Sequence, residues 1–377
     1  MNGVQKILIV GGGIAGLTAA IALRRADFEV DVAEINPQWS VTGVGIILVG
    51  NALRALDTIG LAGKCVDAGY PINALRFHDD QGNFIGEVPQ AKIADPKYAA
   101  SCGVTRTRMH AILQDAVRES GATVRLGLSV ATIKQTDEKA MVTFSDGTSA
   151  QYDLVIGSDG YRSEIRDLVF GSEYQPVYSG QVVWRCNVPR LAEVTNLWLF
   201  NGEEFKAGFV PLTPDLMYIL MTEAPPPGPP PKYAQDQLVE AFRGRLSAFG
   251  GEVARVRDHF LNASSSVVYR PLEVILMPAP WYRGRVVLIG DAAHTMTPHA
   301  VQGGAMAIED AIVLTEELAA QAALPDALDR FMQRRYARDK AMFDISLQIG
   351  KWEQDHDPNA DPVGLTAKSV EIAVAPI

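Results

Sequence analysis

Apolar residues first gather at Ile7-Leu8-Ile9-Val10, between polar Gln5-Lys6 and three glycines, the pattern of a short buried strand over 5–10. From 14 to 26 the apolar positions recur at helical spacing. From 28 to 34 (Phe-Glu-Val-Asp-Val-Ala-Glu) they alternate with polar ones, so strand, helix and strand follow as one βαβ unit. Leu53, Leu56 and Ile59 form the buried stripe of a helix predicted over 50–62. A hairpin is predicted over 73–88 about the turn Asp80-Gln81-Gly82-Asn83, and a helix over 106–119. Several strands follow over 123–157, with Asp146-Gly147 as a hairpin turn. Leu154-Val155-Ile156-Gly157 is apolar throughout, as a strand covered on both faces must be.

Between about 175 and 270 the pattern changes. Strand-like stretches at 181–188, 196–200, 205–210 and 216–222 precede a proline-rich segment, Pro225 to Pro231, and a helix over 233–248. A stiff surface loop is the preferred reading of the prolines over a polyproline ligand for a partner. After 284 the buried pattern returns at Val286-Val287-Leu288-Ile289, then a glycine-rich turn, a helix over about 304–320 and helical sequence over 325–355. No internal repeat is visible.

Length and composition add limits. With 377 residues, 47% of them hydrophobic, the chain can bury two cores or one large elaborated one. A net charge of -10 is a poor match to nucleic acid or an anionic membrane. No stretch approaches ~20 continuous apolar residues, the length of a membrane span. The N-terminal apolar run is too short for a signal-peptide core, and the C-terminus carries no lipidation motif. Cys65, Cys102 and Cys186 are irregularly spaced, so no disulfide framework is expected, and a reducing, cytoplasmic location fits them. Six histidines without HExxH or CxxC give no expectation of a metal site.

Gly11-Gly12-Gly13-Ile14-Ala15-Gly16 fits GxGxxG between a strand and a helix. Gly11 permits the tight turn, Gly13 the close approach of backbone to a pyrophosphate, and Gly16 the packing of helix on strand. The amides of Ile14 and Ala15 open the helix, whose N-terminus favours phosphate. Glu34, at the end of the next strand, suits a ribose. This motif alone does not separate FAD from NAD. A second motif, Leu154 to Arg166, ends a buried strand at Asp159-Gly160, with Ser163 and Arg166 on the following turn. A third, Val286 to Gly304, delivers Asp291 at the C-terminal end of a strand, the ligand-binding edge of a doubly wound sheet. The Gly303-Gly304 turn then starts a helix whose N-terminus stabilises negative charge.

In this order the three motifs resemble those of the class A flavoprotein monooxygenases, the family of para-hydroxybenzoate hydroxylase and salicylate hydroxylase. Gly45-Ile46 with Asn51-Ala52-Leu53, and Val104-Thr105-Arg106 with Leu113, match as well. The resemblance covers most of the chain. It implies an α/β fold: a Rossmann-like FAD-binding domain with an interleaved β-sheet substrate domain and C-terminal helices. The implied FAD-binding domain comprises 1–72, 98–174 and 268–350, the substrate domain 73–97 and 175–267, and the tail 351–377. FAD is implied as cofactor, with NADH or NADPH as co-substrate; no second GxGxxG offers the nicotinamide a pocket. The implied activity is insertion of one oxygen atom from O2, through a flavin hydroperoxide, into a small phenol or hydroxylated N-heteroaromatic ring.

Carried over position by position, the resemblance puts Glu34 on the adenosine ribose, Arg106 near the phosphate and ribityl portion, Asp291 on the ribityl chain and Asp159 at both FAD and nicotinamide. Gly45, Val130, Pro298, Gly303 and Gly304 complete the expected cofactor contacts. Two departures stand out. Ile35-Asn36-Pro37 follows Glu34 where the family often has a basic residue. Val301 replaces the first glycine of the Pro-x-x-Gly-Gln-Gly stretch.

On the substrate side His299, next to Pro298, suits a phenol proton acceptor or a structural loop residue equally. Tyr218 and Arg185, on strands of the middle region, fit ordinary sheet residues better, with contact to a ring or a carboxylate as the functional alternative. His294 fits structural packing better than chemistry. A reductase or epoxidase of a non-aromatic substrate, and a flavin-binding protein without turnover, stay open beside hydroxylation. A monomer or homodimer is expected.

Overall fold

The computed structural model describes residues 3–320 and 322–377, so the first two positions of the expected 1–72 segment lie outside the described residues. The βαβ unit forms as strand Lys6–Val10, helix Ile14–Arg25 and strand Glu29–Glu34. Its strands occupy a six-stranded sheet ordered Tyr282–Arg283, Val286–Leu288, Leu154–Gly157, Lys6–Val10, Glu29–Glu34, Thr123–Leu126. Every pairing is parallel except that of Tyr282–Arg283 with Val286–Leu288. Ile7, Leu8, Leu154 and Val287 are fully buried, in one core with the first helix, helix Gly303–Ala319 and the meander Val130–Gln135, Ala140–Phe144, Ser149–Tyr152. Burial on both faces is why these strands read as unbroken apolar runs.

The middle region builds an eight-stranded sheet ordered His294–Thr295, Val267–Leu276, Val177–Pro189, Leu216–Glu223, Phe205–Pro211, Leu197–Asn201, Ala74–Asp79, Phe84–Pro89. One face carries Trp184, Phe200 and Phe209 against Phe242, Leu246 and Val253 of helices Leu238–Leu246 and Gly251–His259. The other face brings Leu197, Val210 and Tyr218 against Val44 and Ile72. That contact joins the sheet to the dinucleotide fold, because Val44 precedes strand Gly45–Leu48.

The structure departs from the sequence reading at several elements. The helix predicted over 50–62 ends at Thr58 and restarts as Ala62–Asp67, with Gly60 at a left-handed φ of 72° between them. Helix Gly251–His259 is not in the sequence reading. Nor is strand Val267–Leu276, whose internal Pro271 argues against a central strand. Pro271 sits opposite Val182, where the pairing register slips, so the missing N–H falls at an irregularity of the ladder. This strand runs across the boundary expected at 267/268. Helix Leu324–Asp355 is continuous, and residues of the expected tail form a further helix, Pro362–Val374. Arg54 and Arg338 dock that helix by donating to the carbonyls of residues 372–375. No helix among the described residues is long and apolar enough to cross a membrane.

Candidate functional site

The glycine loop is shaped by close approach on one side and open space on the other. A Cβ on Gly11 (φ 103°) would fall 2.5 Å from the Ser158 carbonyl oxygen, and one on Gly16 would fall 2.0 Å from that of Gly11. A Cβ on Gly13 would meet nothing within 4 Å. Gly13 is also the N-cap of helix Ile14–Arg25 and no side chain caps it. The first amides of the helix, including those of Ile14 and Ala15, are thus left for an anion, and a diphosphate fits that cradle.

Glu34 works on this loop directly. One carboxylate oxygen accepts the Gly12 N–H at 2.7 Å and the other the Asn36 N–H at 2.7 Å. The carbonyl of the same Gly12 accepts from Trp39 Nε1 at 3.2 Å and from His110 Nε2 at 2.8 Å, which requires the His110 proton on Nε2. Trp39 and His110 brace the glycine loop and are absent from the sequence reading. Trp39 holds a left-handed φ of 48° with its ring buried, and the Arg118 guanidinium covers that ring. The aromatic residue in an otherwise polar loop was the available signal.

The second and third motifs lock to each other. Asp159 accepts from Ser163 Oγ at 2.5 Å and from the Ile165 N–H at 3.0 Å, capping helix Glu164–Phe170. Arg166, fully buried, donates to the carbonyls of Tyr174, Tyr161 and Ala292, the last joining it to the residue after Asp291. Asp291 itself has no side-chain partner among the described residues and is open to the cleft although protein surrounds it. That burial raises its carboxyl above the usual range, while His294 and Arg106 pull it back down. The Arg106 guanidinium, packed against Gly43, is likewise without a hydrogen-bond or ion-pair partner among the described residues. An unpaired acid, an unpaired base and an uncapped helix on one cleft are what a ligand with both hydroxyls and phosphates requires, so the residues fit FAD.

The remaining expected positions divide. Gly303 and Gly304 form the first turn of helix Gly303–Ala319; a Cβ on Gly303 would have only Met296 nearby, at 3.7 Å, whereas Gly304 abuts Ile46. Pro298 opens the one-turn helix Pro298–Ala300 just before them. Gly45 lies at the contact between the domains, where a Cβ would fall 2.4 Å from Leu212 and 2.9 Å from the Tyr218 ring. Val130 is buried opposite Phe144 in the meander.

Arg106, Arg185 and Tyr218 come together. Arg185 and Tyr218 share a sheet face on adjacent strands, and Arg106 acts electrostatically on both. Burial lowers the Arg185 pKa and raises that of Tyr218, with the two guanidinium charges opposing the latter. Nε of Arg185 is buried without a partner, and no carboxylate pairs with its guanidinium among the described residues. His299 turns instead to the long helix: its Nε2 donates to Glu353 at 3.1 Å and its ring packs on Gly350. Glu353 also accepts from Lys206 at 2.8 Å, leaving Nδ1 of His299 buried and unpartnered.

A buried ionic cluster lies behind the third motif. His294, Asp310 and Asp339 lie close enough to hold a metal ion. Arg335 instead donates to Asp310 at 2.8 Å, to Glu309 at 2.7 Å and to Asp339 at 3.0 Å, sharing the acids with Arg338 at Glu309 and His294 at Asp310. Asn51 extends the cluster to the glycine-rich turn by donating to both Glu309 and Gln302.

Comparisons relate the chain to known proteins. A family model described as an FAD binding domain matches residues 5–346. The chain is 30% identical to the putative FAD-dependent monooxygenase YetM of Bacillus subtilis, over 95% of this chain and 96% of that one. It is 32% identical to 2-heptyl-3-hydroxy-4(1H)-quinolone synthase of Pseudomonas aeruginosa strain PAO1, over 93% and 90%. Among solved structures, Klebsiella pneumoniae HpxO complexed with FAD and uric acid superposes with a TM-score of 0.85 at 23% identity, over 99% of this chain and 98% of that one.

Proposed function

Because the chain belongs to the class A FAD-dependent aromatic monooxygenases, we propose that it consumes NADH or NADPH and O2 to hydroxylate a small phenol or hydroxylated N-heteroaromatic ring. The observation that carries this reading is Arg185, a deeply placed guanidinium without a counter-ion beside Tyr218 and Arg106. An unpaired buried cation is costly unless a ligand supplies the missing charge or acceptor. The deprotonated oxygen of a hydroxylated ring is such a group, and holding it charged makes the ring electron-rich. Two relatives point the same way: one is named for a hydroxyquinolone product and the other is seen with uric acid.

FAD, when bound, supplies the redox chemistry by which O2 is activated. The protein residues do the rest. The amides beyond Gly13 hold the diphosphate, and Asp291 accepts from ribityl hydroxyls. The N-terminus at Gly303 and Gly304 stabilises negative charge on the ring system. Arg185 and Tyr218 orient the substrate oxygen. His299, held through Nε2 by Glu353 with its Nδ1 buried against Gly350, fixes the loop that precedes Gly303.

The test is anaerobic mixing of the purified yellow protein with NADH or NADPH and a panel of phenols, hydroxypyridines and hydroxyquinolines, followed by flavin bleaching. The reading expects at least one hydroxylated ring to accelerate reduction. It also expects Arg185→Met to raise the concentration of that ring needed for half-maximal acceleration by about tenfold or more, the scale of a lost charged hydrogen bond. Flavin reduction indifferent to every ring overturns it.

A further inference from the structure

We propose, building on the hydroxylase reading, that the substrate is a ring carrying an unbranched apolar side chain, held along one transverse row of the eight-stranded sheet. On five successive strands Arg185, Leu220, Gly208, Leu199 and Phe77 lie directly opposite one another, each paired with the next. Directly opposed residues point to the same face of a sheet, so these form one continuous strip. Arg185 is its only charged or polar side chain.

The two neighbouring rows close the sides of the strip. On one side Tyr218 and Val210, themselves a pair, pack with Val44 and Ile72 of the dinucleotide fold. On the other, Thr222 pairs with Lys206, which is tied to Glu353 of the long helix. Between these covers Leu220, Leu199 and Phe77 are only half-buried, although all lie within the sheet and not at its rim. Apolar side chains flanked by cover on both sides and still accessible line a space.

Gly208 keeps the floor of that space level. A glycine in a central strand weakens it and marks a close approach. Here a Cβ would fall 3.0 Å from the Trp198 carbonyl oxygen and 3.2 Å from Leu199 Cδ2, with Leu220 Cγ in ordinary contact at 3.5 Å, so a larger side chain would crowd Leu199 and rise into the strip. Four strand spacings separate Arg185 from Phe77, about 19 Å. That is longer than a one- or two-ring system whose oxygen is held at Arg185. The rest of the floor offers no donor to a polar arm, but it buries methylenes. Beyond Phe77 the strip ends at the edge strand Phe84–Pro89, where a longer chain can emerge.

The experiment titrates the oxidised holoenzyme with 4-hydroxyquinolines bearing unbranched 2-alkyl groups of increasing length, read by the change in flavin absorbance on binding. Affinity is expected to rise about threefold to fourfold per methylene and to level off once the chain outruns the floor. In Leu199→Gln and in Gly208→Val the ratio of long-chain to bare-ring affinity falls about tenfold or more. A ratio near one in the wild type, or a ratio unchanged in both variants, overturns the proposal. Binding needs no turnover, so the two readings fail separately. Chain-length dependence without ring-stimulated flavin reduction sinks hydroxylation alone, and stimulated reduction with flat chain-length dependence sinks the apolar strip alone.

Discussion

Nε2 of His294 lies 2.7 Å from Oδ2 of Asp310, and the same carboxylate oxygen accepts the Gly290 N–H at 2.9 Å. One buried acid therefore fixes the residue just before Asp291 and, through His294, the strand just after it. Burial opposes charging His294, but the charges of Asp339 and Asp310 and the hydrogen bond to Asp310 outweigh it, raising the pKa to about 9 against the repulsion of Arg335. A folded pKa above the unfolded value gives stability that is complete below about pH 6.5 and lost as pH rises through about 9. The loss is on the order of 3 kcal/mol. Urea unfolding of the wild type across this window is expected to show the decline, and His294→Asn to flatten it. A wild-type stability constant from neutrality to beyond about pH 9 would contradict the assignment.

Arg335 should be the costliest single residue in the same cluster. Its guanidinium is fully buried against Glu309, Asp310 and Asp339. Arg335→Met leaves three buried acids short of their main counter-charge, and breaking such a set typically costs about 3–5 kcal/mol. Arg335→Lys should recover little, since an ammonium cannot reproduce a fork that meets three carboxylates. Urea denaturation checks both; a loss below about 1 kcal/mol in the Met variant would show the cluster to be dispensable.

Asp291→Ala is predicted to purify largely without its yellow colour, because the unpaired carboxylate open to the cleft is assigned to the ribityl hydroxyls. The loss of a charged hydrogen bond, about 1.5–3 kcal/mol, corresponds to roughly tenfold to a hundredfold weaker FAD. The ratio of flavin to protein absorbance after desalting measures it. Full occupancy in the variant sinks the assignment.

Val301 stands where the family has glycine, and its backbone is left-handed, φ 55° and ψ 27°. A β-branched residue is strained there. The turn before Gly303 therefore keeps a glycine's conformation at a cost. Val301→Gly removes about 1–2 kcal/mol of strain and adds back about 0.5–1 kcal/mol of unfolded-chain entropy, for a small net gain. Thermal unfolding should shift upward by about 1 °C, the small shift that such a gain gives in a chain of this length. A downward shift would mean that the valine side chain contributes packing beyond the strain it imposes.

What was legible in the sequence follows from what is local. Leu154–Gly157, Val286–Leu288 and, past its first residue, Lys6–Val10 announce themselves because strand positions buried on both faces carry no polar residue to blur the pattern. Gly11 and Gly16 are readable because each answers a steric demand of one turn, and Gly13 because its open side leaves room for a ligand. The pairing of Asn51 with Glu309, 258 residues away, is not readable that way, since periodicity says which face is buried but not which buried charge meets which. A partial signal existed: Glu309 and Asp310 interrupt the apolar face of one helix, and Arg335 and Asp339 stand one turn apart on another. Strand Val267–Leu276 was hidden by Pro271, which local rules exclude from a central strand and the fold admits at a register slip. The row from Arg185 to Phe77 exists only once strand order and register are known.

The central claim is oxygen insertion into a hydroxylated ring, and isotope labelling tests it most directly. The holoenzyme is supplied with NADH or NADPH, the ring that most accelerates flavin reduction, and heavy-isotope O2 in ordinary water, and the product is weighed by mass spectrometry. The account predicts a hydroxylated product carrying one heavy oxygen atom from O2, and none when the label is in the water. NAD(P)H consumption that yields only hydrogen peroxide with unlabelled, unchanged ring would contradict it.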